Sequence, residues 1–275
     1  MEVSLYFICN VQSQLSNTDE LSYFEKANVN GGEVLMIKGI LFDKDGTLLQ
    51  FGTIWIKVVE EIIDDLLKMI GKTGNRDLQK QLCLSIGLRN GEVDEKGHLA
   101  SGTTLDIANA FQAVLPKQVP LLHQWVSENI LKKTKQLIEY VKPVCNLSSL
   151  FSAIKQKGVI IGIATADDYE TTVLCLHHLG IKNEIQFLGT ADLYEKKPGT
   201  QVVEKFCEQF GLEKEEVAVV GDTVVDLKTA QNSKVRYGIG VLSGVGSKQE
   251  LQSLADFVIP NVEHLINSNN EFIWE

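Results

Sequence analysis

The chain has 275 residues, 44% hydrophobic and 23% charged, the composition of a soluble globular protein with one large domain or two ordinary ones. A formal net charge of −10 argues against nucleic acid as a main partner, because phosphate backbones select basic surfaces. No run of 18 apolar residues occurs, so no membrane-spanning helix is predicted, and the N-terminus lacks the basic and apolar regions of a secretory signal. The cysteines, Cys9, Cys83, Cys145, Cys175 and Cys207, include no Cys-x-x-Cys pair. They predict reduced, mostly core thiols in a cytoplasmic protein, with no zinc site.

Residues 1–36 are polar and irregular, as in a tail or a loosely docked arm. Codons for Gly31-Gly32-Glu33 can also form a purine-rich ribosome-binding site ahead of Met36, which would make the extension a start-site artefact. Ile37–Phe42 is a short apolar run that suits a buried strand. It ends in Asp43-Lys44-Asp45-Gly46-Thr47. Residues two apart at a strand end point to the same side, so Asp43 and Asp45 are expected to face whatever lies beyond the strand tip. Gly46 permits a sharp exit. Two carboxylates so held repel by roughly 4 kcal/mol at about 4 Å and an effective dielectric of about 20. A cation, hydrogen-bond donors or a bound proton must offset them. One can then serve as a nucleophile beside a metal and the other as an acid and base.

Residues 51–146 read as an inserted helical module. Ile54–Ile70, Thr104–Leu115 and Leu121–Val141 carry helical spacing or proline boundaries, and no strand is predicted among them. The ends of this module join the rest of the chain near the carboxylate pair, the natural position for a lid. Its candidates for substrate contact are Trp55, Arg89 beside Asn90-Gly91, and Thr103 in the turn Ser101–Thr104. Arg89 has the chemistry to meet a carboxylate bidentately, whereas Trp55 reads rather as core of the insertion.

From Val159 strands and helices alternate. Strands are predicted at Val159–Ala164, Ile185–Leu188, Val217–Val220, Tyr237–Val241 and Phe257–Ile259. Helices are predicted at Tyr169–Leu179, capped by Asp168, at Thr200–Phe210 and at Val224–Ser233. The pattern predicts an α/β fold: a Rossmann-like parallel sheet with helices on both faces, plus the inserted α-helical cap. The core is expected over 37–50 and 147–275, and the cap over 51–146.

Open parallel sheets bind ligands at the carboxyl ends of their strands, and three further motifs fall there. Thr165 and Ala166 offer a hydroxyl and free N–H groups to an anion. Lys197, followed by Pro198, offers a countercharge. Asp222 and Asp226 add hard oxygen donors suited to Mg²⁺.

With these four motifs in this order, the chain resembles the haloacid dehalogenase superfamily over about residues 36–268. Asp43-Lys44-Asp45-Gly46-Thr47 matches its first motif, Thr165 the second, Lys197 the third and Gly221-Asp222…Asp226 the fourth. The insertion resembles the superfamily's C1-type cap, and Gly240–Gly244 is similar to a late turn of phosphoglycolate phosphatase-like members. The resemblance implies that Asp43 attacks phosphorus and that Asp45 protonates the leaving alcohol and then activates water. It implies Mg²⁺ held by the Asp43 carboxylate, the Asp45 backbone carbonyl and Asp222, with Asp226 a further ligand or an outer acceptor. Thr165 with nearby amides, Ala166 among them, and Lys197 would hold the phosphoryl group. An acid at position 45 favours phosphatase or phosphomutase chemistry within the superfamily. The expected partner is a small phosphorylated metabolite, 2-phosphoglycolate being one example, with no nucleic acid or membrane, and the expected state a monomer or homodimer. A phosphosugar mutase and a catalytically silent binding protein are the competing expectations.

Overall fold

The computed structural model describes residues 36–275. Apart from Met36, the N-terminal extension read in the sequence lies outside the described residues.

The first strand, β1 (Gly39–Phe42), is buried at every residue. An all-apolar strand of this kind must be covered on both faces, and side-chain alternation shows how. Phe42 meets Phe151 of α6 (Leu147–Gln156) with ring centroids 5.8 Å apart. Leu41 belongs to a cluster on the opposite face with Val203 and Phe206. The chain leaves β1 through the helices α1 (Trp55–Met69), α2 (Arg76–Ser85), α3 (His98–Ser101), α4 (Thr104–Val114) and α5 (Leu122–Gln136), and only then reaches α6. It continues through β4 (Ile160–Ala164), α7 (Tyr169–His178), β5 (Phe187–Gly189), α8 (Gln201–Phe210), β6 (Val217–Gly221), α9 (Val224–Ser233), β7 (Tyr237–Val241), α10 (Lys248–Gln252) and β8 (Phe257–Ile259). Inside the insertion, β2 (Leu88–Arg89) and β3 (Glu92–Val93) form a small antiparallel hairpin.

The large sheet has the order β5-β4-β1-β6-β7-β8, and each adjacent pair runs parallel. Counted along the chain, this is the 3-2-1-4-5-6 order of a doubly wound α/β fold, whose ligand crevice opens where the order reverses, beside β1. Phe206 also shows why β1 starts with glycine: a Cβ on Gly39 would lie 2.6 Å from its ring.

The expected α/β architecture is present, with several local differences. The hairpin β2–β3 stands where no strand was predicted; its turn is Asn90-Gly91, both with positive φ, which suits a tight two-residue connection. Helix α2 went unread because it buries little more than Leu78 and Leu82; Asn75 caps it by accepting from Leu78 N. Helix α5 stops at Gln136, and a 3₁₀ turn, Ile138–Tyr140, takes the remainder of the predicted span. Asp168 stands at the N-cap of α7, but its carboxylate does not cap; it accepts instead from Thr104 Oγ1 of α4 at 3.0 Å and from Ser127 Oγ of α5.

Helices α1, α2, α4 and α5 pack on one another, and several polar contacts join them to the sheet's carboxyl edge. Besides Asp168, Lys196 pairs with Asp106 of α4 at 2.8 Å and Lys96 pairs with Glu250 of α10 at 2.9 Å.

Candidate active site

The site is assembled by adjacent strand ends. The β1–β6 ladder extends one residue past β1, because Asp43 N donates to Val220 O at 2.8 Å. This bond fixes Asp43 against β6, whose own exit carries Asp222. The turn after Asp43 closes with Leu48 N and Leu49 N donating to Lys44 O and Gly46 N donating to Leu49 O. Gly46 has φ +89°, and a Cβ there would lie 2.5 Å from Asp222 Oδ2. Only glycine allows both this backbone and this approach. Gly46→Ala is therefore expected to destabilise the protein by about 1–3 kcal/mol, read as a lower urea midpoint; an unchanged midpoint would refute the close packing.

Asp222 is fully buried. Its Oδ1 accepts from Thr47 Oγ1 at 3.1 Å and its Oδ2 from Val245 N at 2.9 Å. Both donors are neutral. Burial, with Asp43 and Asp226 close by, pushes its carboxyl well above the ordinary aspartate range. Asp226 forms a capping box with Thr223 at the start of α9: its Oδ2 accepts from Thr223 Oγ1 at 2.6 Å and Thr223 N at 3.0 Å, leaving Oδ1 free for other work. Lys197 takes that oxygen. Its Nζ donates to Asp226 Oδ1 at 2.5 Å, Asp43 Oδ1 at 2.6 Å and the Ala164 carbonyl at 3.0 Å. An ammonium has three protons, so the lysine is fully committed. Burial works against its charge, but Asp226 and Asp43 outweigh it and hold the ammonium protonated. Pro198 lies ahead of α8.

Asp43, Asp222 and Asp226 each present an oxygen within 4.8 Å of the others, all buried. Burial raises the Asp43 carboxyl to about 7; Lys197 opposes this, while Asp226 and Asp45 add to it. Three hard oxygen donors with one lysine among them fit a small divalent cation by charge and donor chemistry. Asp45 turns elsewhere. Its Oδ1 accepts from the Trp55 indole Nε1 at 2.6 Å, and its Oδ2 lies 2.5 Å from Lys44 Nζ. Both Asp43 and Asp45 nonetheless face one cavity, which Thr165, Ala166, Lys197 and Asp226 also line. Thr165 N donates to Gly189 O at 2.8 Å, and its Oγ1 accepts from Asp167 N at 3.2 Å.

Lys44 is the least expected feature. It has no exposed surface, and it lies between Asp45 and Asp167, 2.9 Å from Asp167 Oδ2. The Asp167 contact is ionic rather than a well-aligned hydrogen bond, since Oδ2 has no partner of hydrogen-bond geometry. Burial opposes the Lys44 charge, but Asp167 and Asp45 more than restore it. Burial pushes Asp167 up to about 6, Lys44 draws it down, and Asp45 pushes it up again. The face of Trp55 covers the ammonium at 4.8 Å.

Of the insertion's sequence-predicted residues, Trp55 reaches the site, both as core (7% exposed) and as a donor to Asp45. Thr103 caps α4 in a box with Asp106 and is not among the lining residues, although its neighbours Gly102 and Thr104 are. Arg89 is exposed on β2 and does not line the cavity. Sequence reasoning passed over Asp167 and read Asp168 only as a helix cap, although an acidic pair directly after Thr165-Ala166 at a strand end was a visible signal. Among the described cysteines all are free, with Cys175 and Cys207 buried.

A doubly wound parallel sheet with a buried carboxylate cluster at its switch point defines a Rossmann-like α/β enzyme class. Residues 40–239 match the family model for haloacid dehalogenase-like hydrolases, and the chain belongs to that family. Similar solved structures include CbbY from Rhodobacter sphaeroides in complex with phosphate, at 16% identity and a TM-score of 0.64, covering 86% of this chain and 99% of that one. A predicted phosphoglycolate phosphatase from Haemophilus somnus is similar at 18% identity and a TM-score of 0.60, over 82% of this chain and 95% of the other. β-Phosphoglucomutase from Clostridium difficile is similar at 16% identity and a TM-score of 0.60, over 84% and 93%. At these identities the likeness is one of fold. No curated protein sequence matches the chain significantly. No helix among the described residues is long and apolar enough to cross a membrane.

Proposed function

We propose that the chain is a Mg²⁺-dependent phosphatase that hydrolyses a small phosphate monoester through a phosphoaspartyl enzyme at Asp43. The observation that carries this reading is the convergence of Asp43, Asp222 and Asp226 within 4.8 Å, with Lys197 bonded to the first and last of them. Asp43, Asp222 and Asp226 would hold the ion, together with the Asp45 backbone carbonyl. Bound there, Mg²⁺ supplies positive charge against the phosphoryl oxygens.

The chain's own residues divide the remaining work. Lys197 holds Asp43 in place and faces the incoming phosphoryl charge. Thr165 and the amide of Ala166 bind phosphoryl oxygens at the end of β4. Asp43 attacks phosphorus as the P–O bond to the alcohol breaks, and Asp45 delivers the proton that the leaving oxygen needs. In the second step Asp45 takes a proton from water, which attacks the phosphoaspartate and frees Asp43. Trp55 and Lys44 orient Asp45, one oxygen each. The helical insertion acts as a cap that excludes bulk water from this chemistry. The complete set of polar groups favours an enzyme over a silent binding protein.

The test is phosphate release from a panel of phosphate monoesters. Release is expected with Mg²⁺ and is expected to fall to background on adding a chelator, returning with Mg²⁺. Inertness across a broad panel would sink the reading. Binding of the ion should also depend on pH. Asp43 must shed a proton to act as a ligand, and its carboxyl sits at about 7 rather than in the ordinary range. Mg²⁺ affinity is therefore expected to rise by about tenfold between pH 6 and pH 8 in calorimetry. A flat profile would show that Asp43 is already ionised at pH 6.

A further inference from the structure

We infer that the site takes a phosphate ester whose leaving group is short, uncharged and largely apolar; the phosphoryl end of this inference rests on the phosphatase reading above. The cavity encloses about 60 Å³ and has two chemically different walls. The sheet side supplies the charged groups. The insertion side supplies Val58, Val59 and Ile62 from α1, Leu99 from α3, Ile107 from α4 and Ile130 from α5. These wall residues stand opposite the position of the leaving group, because the phosphoryl end is fixed by Asp43, Thr165 and Lys197.

What polarity the insertion brings to the cavity is largely committed. Thr104 Oγ1 donates to Asp168 Oδ1 at 3.0 Å and lies 3.1 Å from His123 Nε2. The Trp55 N–H is spent on Asp45. Ser101 is the other hydroxyl from the insertion that lines the space, and no Lys, Arg or His of the insertion lines it among the described residues. A carboxylate on the leaving group would find no countercharge there, since Arg89 is exposed and off the cavity. A polyol would lose water from several hydroxyls and recover few bonds, at about tenfold in affinity for each unpaired hydroxyl. Each buried methylene would instead gain about fourfold. The volume sets the size: at about 10–15 Å³ for each water-sized group, it accommodates about four to six such groups, a phosphoryl group and about two more atoms. These features disfavour both 2-phosphoglycolate and phosphosugars as the preferred substrate.

Two measurements separate the ligand class from the chemistry. The first is calorimetric binding of hydrolysis-resistant phosphonates with Mg²⁺ present. Methylphosphonate and ethylphosphonate are expected to bind at least about tenfold more tightly than phosphonoacetate. Equal binding, the reverse order, or no binding of any of them overturns the inference. Ile107→Lys is expected to reverse the order and Ile107→Val to preserve it; if the lysine variant does not fold, the wild-type order alone decides. The second measurement is phosphate release from methyl phosphate, ethyl phosphate and 2-phosphoglycolate. Release that favours 2-phosphoglycolate leaves the phosphatase reading standing and overturns the ligand class. Alkylphosphonate binding without hydrolysis of any ester sinks the phosphatase reading and leaves the ligand class standing.

Discussion

Asp43→Asn is expected to lower phosphate release by about 10⁴-fold or more while the protein stays folded. The amide has the shape of the carboxylate but cannot attack phosphorus. Nothing else at the end of β1 can replace it, because Asp45 is tied to Trp55 and Lys44. The fold should tolerate the change for a reason visible in the site. Burial holds the Asp43 carboxyl at about 7, far above its ordinary value. A group raised in this way opposes folding progressively as pH climbs from its unfolded value toward 7, and fully above that. Removing it at pH 8 removes that opposition, while Lys197 keeps Asp226 and the Ala164 carbonyl as partners. Thermal unfolding without metal should therefore give the variant a midpoint at or above that of wild type at pH 8. A variant that keeps more than about 1% of wild-type turnover would remove Asp43 from the nucleophile's role.

The second large effect is on stability. Lys44→Met is expected to cost roughly 3 kcal/mol at neutral pH, because it leaves two partly buried carboxylates facing each other with no cation between them. Methionine has nearly the right length and leaves little void, so the loss is electrostatic rather than one of packing. The sign with pH follows from Asp167, held at about 6 while Lys44 is present. Its opposition to folding grows as pH rises from the ordinary aspartate range and levels off above 6 in the wild type. Without Lys44 the Asp167 carboxyl moves higher still, and the opposition keeps growing past pH 6. The gap between wild type and variant should thus widen from pH 5.5 to pH 8 in urea titrations. A gap that is constant or narrows with pH would mean that Lys44 stabilises by packing alone.

Much of this protein was readable without coordinates, because its chemistry sits on short local patterns. Asp43 and Asp45 are two apart at a strand tip, so backbone alternation alone turns both toward one space. Helix α9 spans the predicted Val224–Ser233, and β7 and β8 carry their predicted bounds, since apolar runs between turn residues encode buried strands directly. Helix α6 was equally legible and was missed: Leu147, Leu150, Phe151 and Ile154 follow helical spacing behind Asn146, which caps the helix by accepting from Ser149 N. The hairpin β2–β3 was not legible as strands, because two residues are too few to show an alternation, and only its Asn90-Gly91 turn marked it.

The tertiary structure decided the pairings between groups far apart in the chain. Lys44 reads as a surface residue by type, yet packing encloses it and supplies Asp167 as a second anion. Asp168 has the sequence position of a helix cap, but Thr104 and Ser127 from the insertion compete for its carboxylate and win it. Trp55 contributes its ring to the core of the insertion and its N–H to Asp45, a dual use that no spacing reveals. Arg89 had suitable chemistry and the wrong place. Local sequence determined the strands, the strand-tip acids and the family, because those follow from the backbone's own periodicity. The lining of the cavity and the partners of its charges follow from how the inserted helices lie over the sheet edge, and that depends on packing between segments from ten to more than a hundred residues apart.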